Sequence, residues 1–485
     1  MRSSKAGAEL PVRARDDDAA AWLRDWVRGL GPGGTHEARR ADVGMFPSRQ
    51  VLGVLRPSSV AQVRQIVASA VPGVALYPVS TGYNWGLGSR QPVTDRAVLL
   101  DLGRLDTIRL LDTTIGVAVV EPGVTQGLLA GRLAGTSFMA NVTASSPHTS
   151  VVGNAVERGV GLRRQRWEDV AGLEVVLADG TLLRLGSWPD ERGRVTPYRH
   201  ELGPGLMPLF AQSNFGVVTA AVIRLLPRPR AARLLRLTFD ASRLPAAVDE
   251  LRGYLGQRLV SGVLKIYQPV ESEECWAYCC VDGDPELARF ASALLMRHAR
   301  RSGLFDDVGE DVPDDELATQ LHHCLTGDPS LNEALLETWF GAGAAGVDGN
   351  PDTGFLFFLP LLPFDGAAVA RARTLVREIA AETGTTWSPT VNAISSDVID
   401  LVVSCRFPKA SAAAAHRALD LLHERFAAAG WRPYRLDIEH MDAGGPPELL
   451  RRLKEVFDPL SVLAPGRYEA VPPDPGAERA AGGPS

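Results

Sequence analysis

Pro78-Val79-Ser80-Thr81-Gly82-Tyr83-Asn84-Trp85-Gly86-Leu87-Gly88-Ser89 continues an apolar run, Ala75 to Val79, and sets three glycines among small hydroxyl residues. Such glycines, with their free amides, can form a concave nest for phosphate oxygens. The spacing is not Gly-x-Gly-x-x-Gly, no helical pattern follows directly, and the chain contains no Gly-Lys pair. Nicotinamide-type Rossmann and P-loop readings therefore both fail. On this segment alone an ordinary glycine turn stays open. Upstream, apolar Val51 to Leu55, then Pro57-Ser58-Ser59, then Val60, Val63, Ile66, Val67 and Ala70 at helical spacing complete a strand, helix, strand unit. Ser59, with Gln62 three residues on, reads as a capping-box start.

The 485 residues, 45% hydrophobic and 22% charged, are enough for two or three packed domains. A net charge of −6 argues against a general nucleic-acid binder. Lysine occurs only at Lys5, Lys265, Lys409 and Lys454, so arginine carries nearly all of the positive charge. No apolar stretch approaches the roughly 20 residues of a membrane span. Met1 to Asp18 has no apolar core and does not read as a secretory signal, so a cytoplasmic location is expected. The five cysteines fit reduced thiols rather than a disulfide framework. Cys275, Cys279, His322, His323 and Cys324 lack zinc-site spacing, and no metal is expected.

From 98 to 226 the pattern is mostly strands: 98–102, 108–111, 117–120, 170–177, 181–185 and 217–226, with Ala178-Asp179-Gly180 as a hairpin turn. After Pro227 and Pro229 it restarts as strands at 234–239, 263–267, 275–281, 355–359 and 398–407. Helices are expected near 246–255, 286–302, 367–382 and 409–429. The Pro, Gly and Ala-rich tail reads as disordered.

Further segments join the glycine loop in order: Glu121-Pro122-Gly123-Val124; Ser150-Val151-Val152-Gly153-Asn154-Ala155-Val156-Glu157-Arg158-Gly159; the hairpin at 172–180; and Gln212-Ser213-Asn214-Phe215-Gly216-Val217-Val218-Thr219. Trp431-Arg432-Pro433-Tyr434-Arg435 and Leu463-Ala464-Pro465-Gly466-Arg467 end the series. This series, covering about 45 to 470, resembles the vanillyl-alcohol oxidase and p-cresol methylhydroxylase flavoproteins, nearest to their 4-phenol-oxidising members.

The resemblance implies an α+β, two-domain flavoprotein fold. Residues 41–230 and 431–470 would bind FAD and 231–430 would form a cap with an antiparallel sheet flanked by helices. An extension at 1–40 and a tail at 471–485 would complete the chain. It implies that Pro78, Ser80, Thr81, Gly82, Tyr83, Asn84, Gly86, Leu87, Gly88 and Ser89 hold the FAD pyrophosphate. Pro122, Gly123, Ser145, Ser146, Ser150 and Gly153 would also bind the cofactor, Asn154, Glu157, Arg158 and Gly159 would contact the flavin and ribityl chain, and Gly216, Val217 and Val218 would lie on the adenine side. Arg467 would bring positive charge to the flavin pyrimidine edge.

Three departures bound the substrate. Tyr434 and Arg435 match two of the three groups with which phenol-oxidising members hold a phenolate, but the other tyrosine position is Leu87. The acid those members place beside flavin N5 falls at about Ser145, leaving His148, Glu439 and His440 as the nearest acid–base candidates by sequence. Phe355 stands where some members carry a flavin-anchoring histidine, so FAD is expected to be non-covalent. The expected reaction is hydride transfer from a benzylic, allylic or carbinol carbon to flavin N5. Tyr434 and Arg435 would bind an oxygen that gains charge, and reoxidation would fall to dioxygen or an electron-acceptor protein. A homodimer is compatible. A polyol or carbohydrate oxidase on the same fold, and a non-redox cyclase, isomerase or ligand binder, are the alternatives.

Overall fold

The structure, a computed structural model, describes residues 16–38, 41–200, 202–262, 264–268, 272–310, 315–441 and 447–469. The tail expected to be disordered and the first fifteen residues lie outside the described residues. An unexpected helix, α1 (Asp16–Gly29), packs on β1 (Val51–Leu55), and Trp22 and Trp26 both donate their indole N–H to Ser69 Oγ, at 3.1 and 2.9 Å. Ser59 caps α2 (Val60–Ala68) by accepting from Gln62 N, while in the reciprocal bond Ser58 N donates to Gln62 Oε1 at 2.7 Å. The capping box thus closes on both serines. With β2 (Ala75–Val79) and β3 (Ala97–Asp101) the unit forms a parallel sheet of order β1-β3-β2.

β4 (Ile108–Asp112) and β5 (Val117–Val120) lead through α3 (Gln126–Arg132), β6 (Phe138–Met139) and α4 (Val151–Val156) to the hairpin β7 (Val170–Val176) and β8 (Leu182–Gly186). At its turn Asp179 Oδ1 accepts from Thr181 N and Gly180 takes φ +81°, the left-handed conformation expected of Asp-Gly. β9 (Val217–Arg224) completes the antiparallel order β4-β5-β9-β7-β8, and β10 (Leu226–Pro227) pairs with β6.

The cap is one eight-stranded antiparallel sheet. It contains β11 (Ala231–Asp240), β12 (Lys265–Tyr267), β13 (Glu274–Gly283), β14 (Asp307–Glu310), β15 (Thr353–Phe358), β16 (Leu361–Pro363), β17 (Ser388–Ala393) and β18 (Val398–Pro408). Its order is β14-β11-β13-β12-β17-β18-β15, with β16 also on β18. Between the strands run α5 (Leu244–Gly256), α6 (Pro285–Ser302), α7 (Glu316–Leu325), α8 (Asn332–Phe340), α9 (Gly366–Thr383) and, last, α10 (Ala412–Ala428). One face of the sheet is sealed: Ile266, Leu356, Phe358, Val391, Leu401 and Val403 pack against the apolar sides of α5, α6, α9 and α10. The other face turns toward the first two sheets. This is the α+β arrangement that the sequence led us to expect.

α11 (Pro447–Phe457) returns the chain to the first domain. Its Lys454, side chain 8% exposed, pairs with Asp458 at 2.8 Å and donates to the carbonyls of Asn214 (2.9 Å) and Leu463 (2.7 Å). Asp458 in turn accepts from the amides of Val462 and Leu463, which seats Leu463 beside Leu76 at the edge of the parallel sheet. Lys454→Met would leave a buried carboxylate without its cation and two carbonyls without a donor. Such losses cost about 3–5 kcal/mol. Calorimetry should show a melting temperature several degrees lower; an unchanged one would show the C-terminal segment to be held by its apolar contacts.

Candidate active site

A cavity of about 720 Å³ is walled by the glycine loop, by the connections of the second sheet, by the open face of the cap sheet and by the C-terminal segment. Pro78, Ser80, Thr81, Gly82, Tyr83, Asn84, Leu87 and Ser89 reach it from the loop. Pro122, Ser145, Ser146, Ser150, Gly153, Asn154, Glu157, Gly159, Gly216, Val218 and Arg467 reach it from beyond. Tyr434 and Arg435 close one side.

Five residues expected at the cofactor do not line the cavity. Arg158 is exposed at φ +53°, and Val217 is buried in the apolar core under the parallel sheet. Gly123 backs onto the carbonyls of Gly103 and Leu105, Gly88 onto Ile438, and Gly86 onto the cap. Gly86 takes φ +73°, its carbonyl accepts from Phe357 N at 3.1 Å, and a Cβ there would lie 3.0 Å from that same nitrogen. The glycine is therefore required by the left-handed turn and by the close approach of β15, which replaces the phosphate-contact argument at this position.

The wall at 143–149 is rigid. Gln126 bonds the loop at the Thr143 amide and at the carbonyls of Ser145 and Ser146, and the Ser145 hydroxyl lies 2.5 Å from Thr143 Oγ1 and 2.8 Å from Thr149 Oγ1. The three acid–base candidates chosen by sequence proximity are not brought into the cavity. His148 faces Glu333 at 3.9 Å with a half-exposed side chain, and Glu439 pairs with Arg49. His440 and His423 stack at 3.7 Å and share Asp437, at 2.9 and 3.1 Å. Burial pushes the Asp437 carboxyl up, but these imidazoles outweigh it and hold it well below the usual range. They are the one grouping of possible metal ligands among the described residues; the other ring nitrogen of His440 faces Asp420. The group ties the turn after Arg435 to α10. Cys275 and Cys279 lie in the cap core, His322 faces the Ala232 carbonyl and His323 pairs with Asp328, so the cysteines and histidines weighed as ligands do not converge.

Arg467 enters the cavity wall already paired. It bonds Glu157, donates to Tyr77 Oη at 2.8 Å and lies over the Tyr468 ring. Burial raises the Glu157 carboxyl, yet Arg467 and Arg435 outweigh it and keep Glu157 ionised below the usual range. The positive charge expected at this edge is thus largely balanced by Glu157.

Tyr434 and Arg435 sit on a segment fixed like a short strand: Leu361 N donates to Arg432 O, Tyr434 N to Leu359 O, and Gln212 Nε2 to Tyr434 O. Arg435 Nη2 donates to Asn84 Oδ1 at 2.6 Å, joining this segment to the glycine loop. Burial, and Asp400 nearby, push the Tyr434 phenol far above its ordinary value, so it remains a proton-bearing donor.

The cap contributes residues that the sequence reading passed over. Lys265, Asn392 and Asp400 stand directly opposite one another on β12, β17 and β18 and face the cavity. Behind this row come Thr390 and Val402, then Ser388, Ser404 and Phe357, then Phe355 with Arg406. Lys265 carried a signal, being one of four lysines in an arginine-biased chain and lying within an apolar run. So did Asp400, an acid inside a predicted core strand.

Among the described residues, three buried polar atoms without a hydrogen-bond partner belong to this wall: Trp85 Nε1, Asn154 Oδ1 and Asp400 Oδ1. Buried polar groups seldom stay unpaired, so the wall is shaped for something polar as well as apolar. Residues 51–186 match the FAD binding domain family. The chain is 28% identical to the 1'-carboxy-chondrochloren decarboxylase of Chondromyces crocatus, over 87% of this chain and 91% of that protein. It is 24% identical to the 4-cresol dehydrogenase [hydroxylating] flavoprotein subunit of Pseudomonas putida, over 81% and 83%. Among solved structures, p-cresol methylhydroxylase with substrate bound superposes with a TM-score of 0.79 at 21% identity, covering 94% of this chain and 96% of that one. The 4-ethylphenol oxidase of Gulosibacter chungangensis, in its isoeugenol complex, gives 0.82 at 22%, covering 96% and 99%. The chain is an FAD-linked oxidoreductase, and its relatives and structural neighbours are of the vanillyl-alcohol oxidase and p-cresol methylhydroxylase family.

The polar groups needed for FAD fit the cavity: a hydroxyl-rich loop at one end, and the unpaired Asn154 Oδ1 acceptor and Trp85 Nε1 donor along the wall. Gly86→Val would strain a left-handed position by about 1–3 kcal/mol and push β15 from the loop. The purified variant should be largely flavin-free with a lowered melting temperature. Full flavin occupancy would show that the loop tolerates separation from the cap.

Proposed function

We propose that the cavity binds FAD without a covalent bond, beside a small organic substrate oxidised at a benzylic, allylic or carbinol carbon. FAD, when bound, supplies the hydride acceptor. Ser80, Thr81 and Asn84 would hold its pyrophosphate side, and Asn154 and Glu157 its ribityl and ring side. Phe355 supports the non-covalent state. It lies on the cavity wall, packed edge-on against Phe357 at 4.5 Å and Phe340 at 5.4 Å, and it has no nucleophile. Acid denaturation should therefore release the yellow cofactor; flavin remaining on the unfolded chain would reveal another anchor.

The observation that carries the substrate assignment is the placement of Tyr434 and Arg435 on a fixed segment facing the cavity. Before hydride leaves a carbon conjugated to a hydroxyl, the hydroxyl gives its proton to water, and its oxygen carries the negative charge that is then passed toward that carbon. A phenol O–H and a guanidinium already in place stabilise that charge without reorganising at the moment of reaction. Leu87, apolar and 3% exposed, offers no third donor. The chain thus binds the oxygen with two groups where its phenol-oxidising relatives are expected to use three.

Arg435→Ala should slow anaerobic flavin reduction about 100-fold or more with flavin content retained, and Tyr434→Phe should slow it less. Reduction at the unaltered rate in a flavin-loaded Arg435→Ala protein would shift the assignment to a polyol substrate. The screen should include phenols, phenol-bearing acids and polyols, because one relative is named as a decarboxylase. Hydrogen peroxide formation in air, set against dye reduction, separates dioxygen from a protein electron acceptor.

A further inference from the structure

The geometry points to a substrate that brings a carboxylate to the Lys265–Asn392–Asp400 row and is taken up together with one proton. This deepens the proposed function and rests on it only for the second anchor, the hydroxyl at Tyr434 and Arg435.

The row is built by register. Lys265 pairs with Asn392 and Asn392 with Asp400, so all three side chains stand on one face of three adjacent strands. They are buried, at 9%, 4% and 1% exposure, yet line the cavity. An ammonium and a carboxylate buried on one wall are ordinarily paired with each other. Here Asn392 stands between them. Its Oδ1 accepts from Lys265 Nζ at 2.6 Å, and its side chain also bonds the Asp400 carboxyl. Lys265 has three donors, and this is its one hydrogen bond among the described residues. Asp400 Oδ1 has no partner among the described residues. The row therefore offers a donor-rich cation at one end and an unmatched carboxyl oxygen at the other.

An anionic ligand meets both. Lys265 supplies charge and N–H donors. Asp400 repels the ligand while ionised, but once protonated it donates from Oδ1 to a ligand oxygen. The charged and titratable groups around Asp400 are Lys265 on β12 and Arg435 with Tyr434 on the C-terminal segment; Tyr267 and Cys324 face Lys265. Burial pushes the Asp400 carboxyl up to about 7 against the opposing pull of Lys265, and pushes Lys265 down to about 8. Below pH 7 Asp400 already carries the proton that the ligand needs. Above it, binding must draw one proton from solution, so affinity should fall as pH rises. Val402 and Leu359 on the same wall leave an apolar berth for the carbon frame between the two anchors.

The test is calorimetric titration of the FAD-loaded protein with 4-hydroxybenzoate and 4-hydroxycinnamate, each against its own amide. None of these probes has an sp3 C–H to oxidise. At pH 6.5 the acids should bind about tenfold or more tighter than the amides. That preference should shrink by roughly fivefold or more between pH 7 and 8, with proton uptake growing as Asp400 takes up its proton, read from heats in buffers of different ionisation enthalpy. Lys265→Met should abolish the preference while the amides still bind. Asp400→Asn should keep acid binding but remove the proton uptake seen near pH 7, and the uptake by the unaltered protein needs no variant to fold. Acids no tighter than amides, a preference that survives Lys265→Met, or binding of none of the four would overturn the proposal. Amides no tighter than benzamide and cinnamamide would instead sink the Tyr434–Arg435 oxygen site while the acid preference still stands or falls by itself.

Discussion

Side chains directly opposite on neighbouring strands must share a face, and successive residues along a strand must alternate faces. That constraint decides what the cavity of this flavoprotein is made of. On β17 and β18, Val391, Ala393, Ile399, Leu401 and Val403 fall to the helix-covered side, which leaves Ser388, Thr390, Asn392, Asp400 and Val402 for the other. A slip of one residue would put an acid and an asparagine against α9 and α10 and expose five apolar side chains to the cavity. Register is therefore held by core burial, and the cavity chemistry follows from it.

The same alternation explains which parts of the fold were legible in the sequence. Parallel β1, β2 and β3 read as apolar runs because both of their faces are covered, and β7 and β9 read as strands for the same reason. β17 did not. Ser-Pro-Thr-Val-Asn-Ala carries hydroxyls, an amide and a proline in the middle of an eight-stranded sheet, a pattern that local propensity assigns to a loop. It is a strand because its polar side lines a cavity rather than water. The helices α7 and α8 were missed for a related reason: Gln320 and Asn332 are buried polar residues that bond each other and the Ser145 loop, so they interrupt the apolar spacing.

The glycine loop shows the limit of a motif whose contacts lie elsewhere in the sequence. Its backbone conformation was readable: Gly82, Gly86 and Gly88 all take positive φ. The reason for two of them was not, because the atoms crowding Gly86 and Gly88 belong to Phe355, Leu356, Phe357 and Ile438, some 270 to 350 residues away. The loop is a junction between domains as much as a cradle. Arg435 on Asn84, and Ser89 Oγ on Asp348 at 2.6 Å, make the same connection through polar bonds. Flavin-side and cap-side walls are thereby held in one relation, which is what positions Tyr434 and Arg435 against the cap row.

The two buried charge pairs of the cavity are built to different ends. Arg467 and Glu157 bond each other directly and gather Tyr77 and Tyr468 around them, so both charges are met by protein. Their desolvation is offset within the fold, and the carboxyl stays ionised. Lys265 and Asp400 are as deeply buried but are kept apart by Asn392, and each retains bonding capacity that no group among the described residues fills. A fold gains nothing in stability from that arrangement, since burying two charges without full compensation costs more than burying apolar residues of the same size. The offsetting interaction is then one from outside the chain, and the row opens onto the cavity that also holds Tyr434 and Arg435. Charge satisfied by protein marks structure here, and charge left open on the same wall marks where the ligand completes the site.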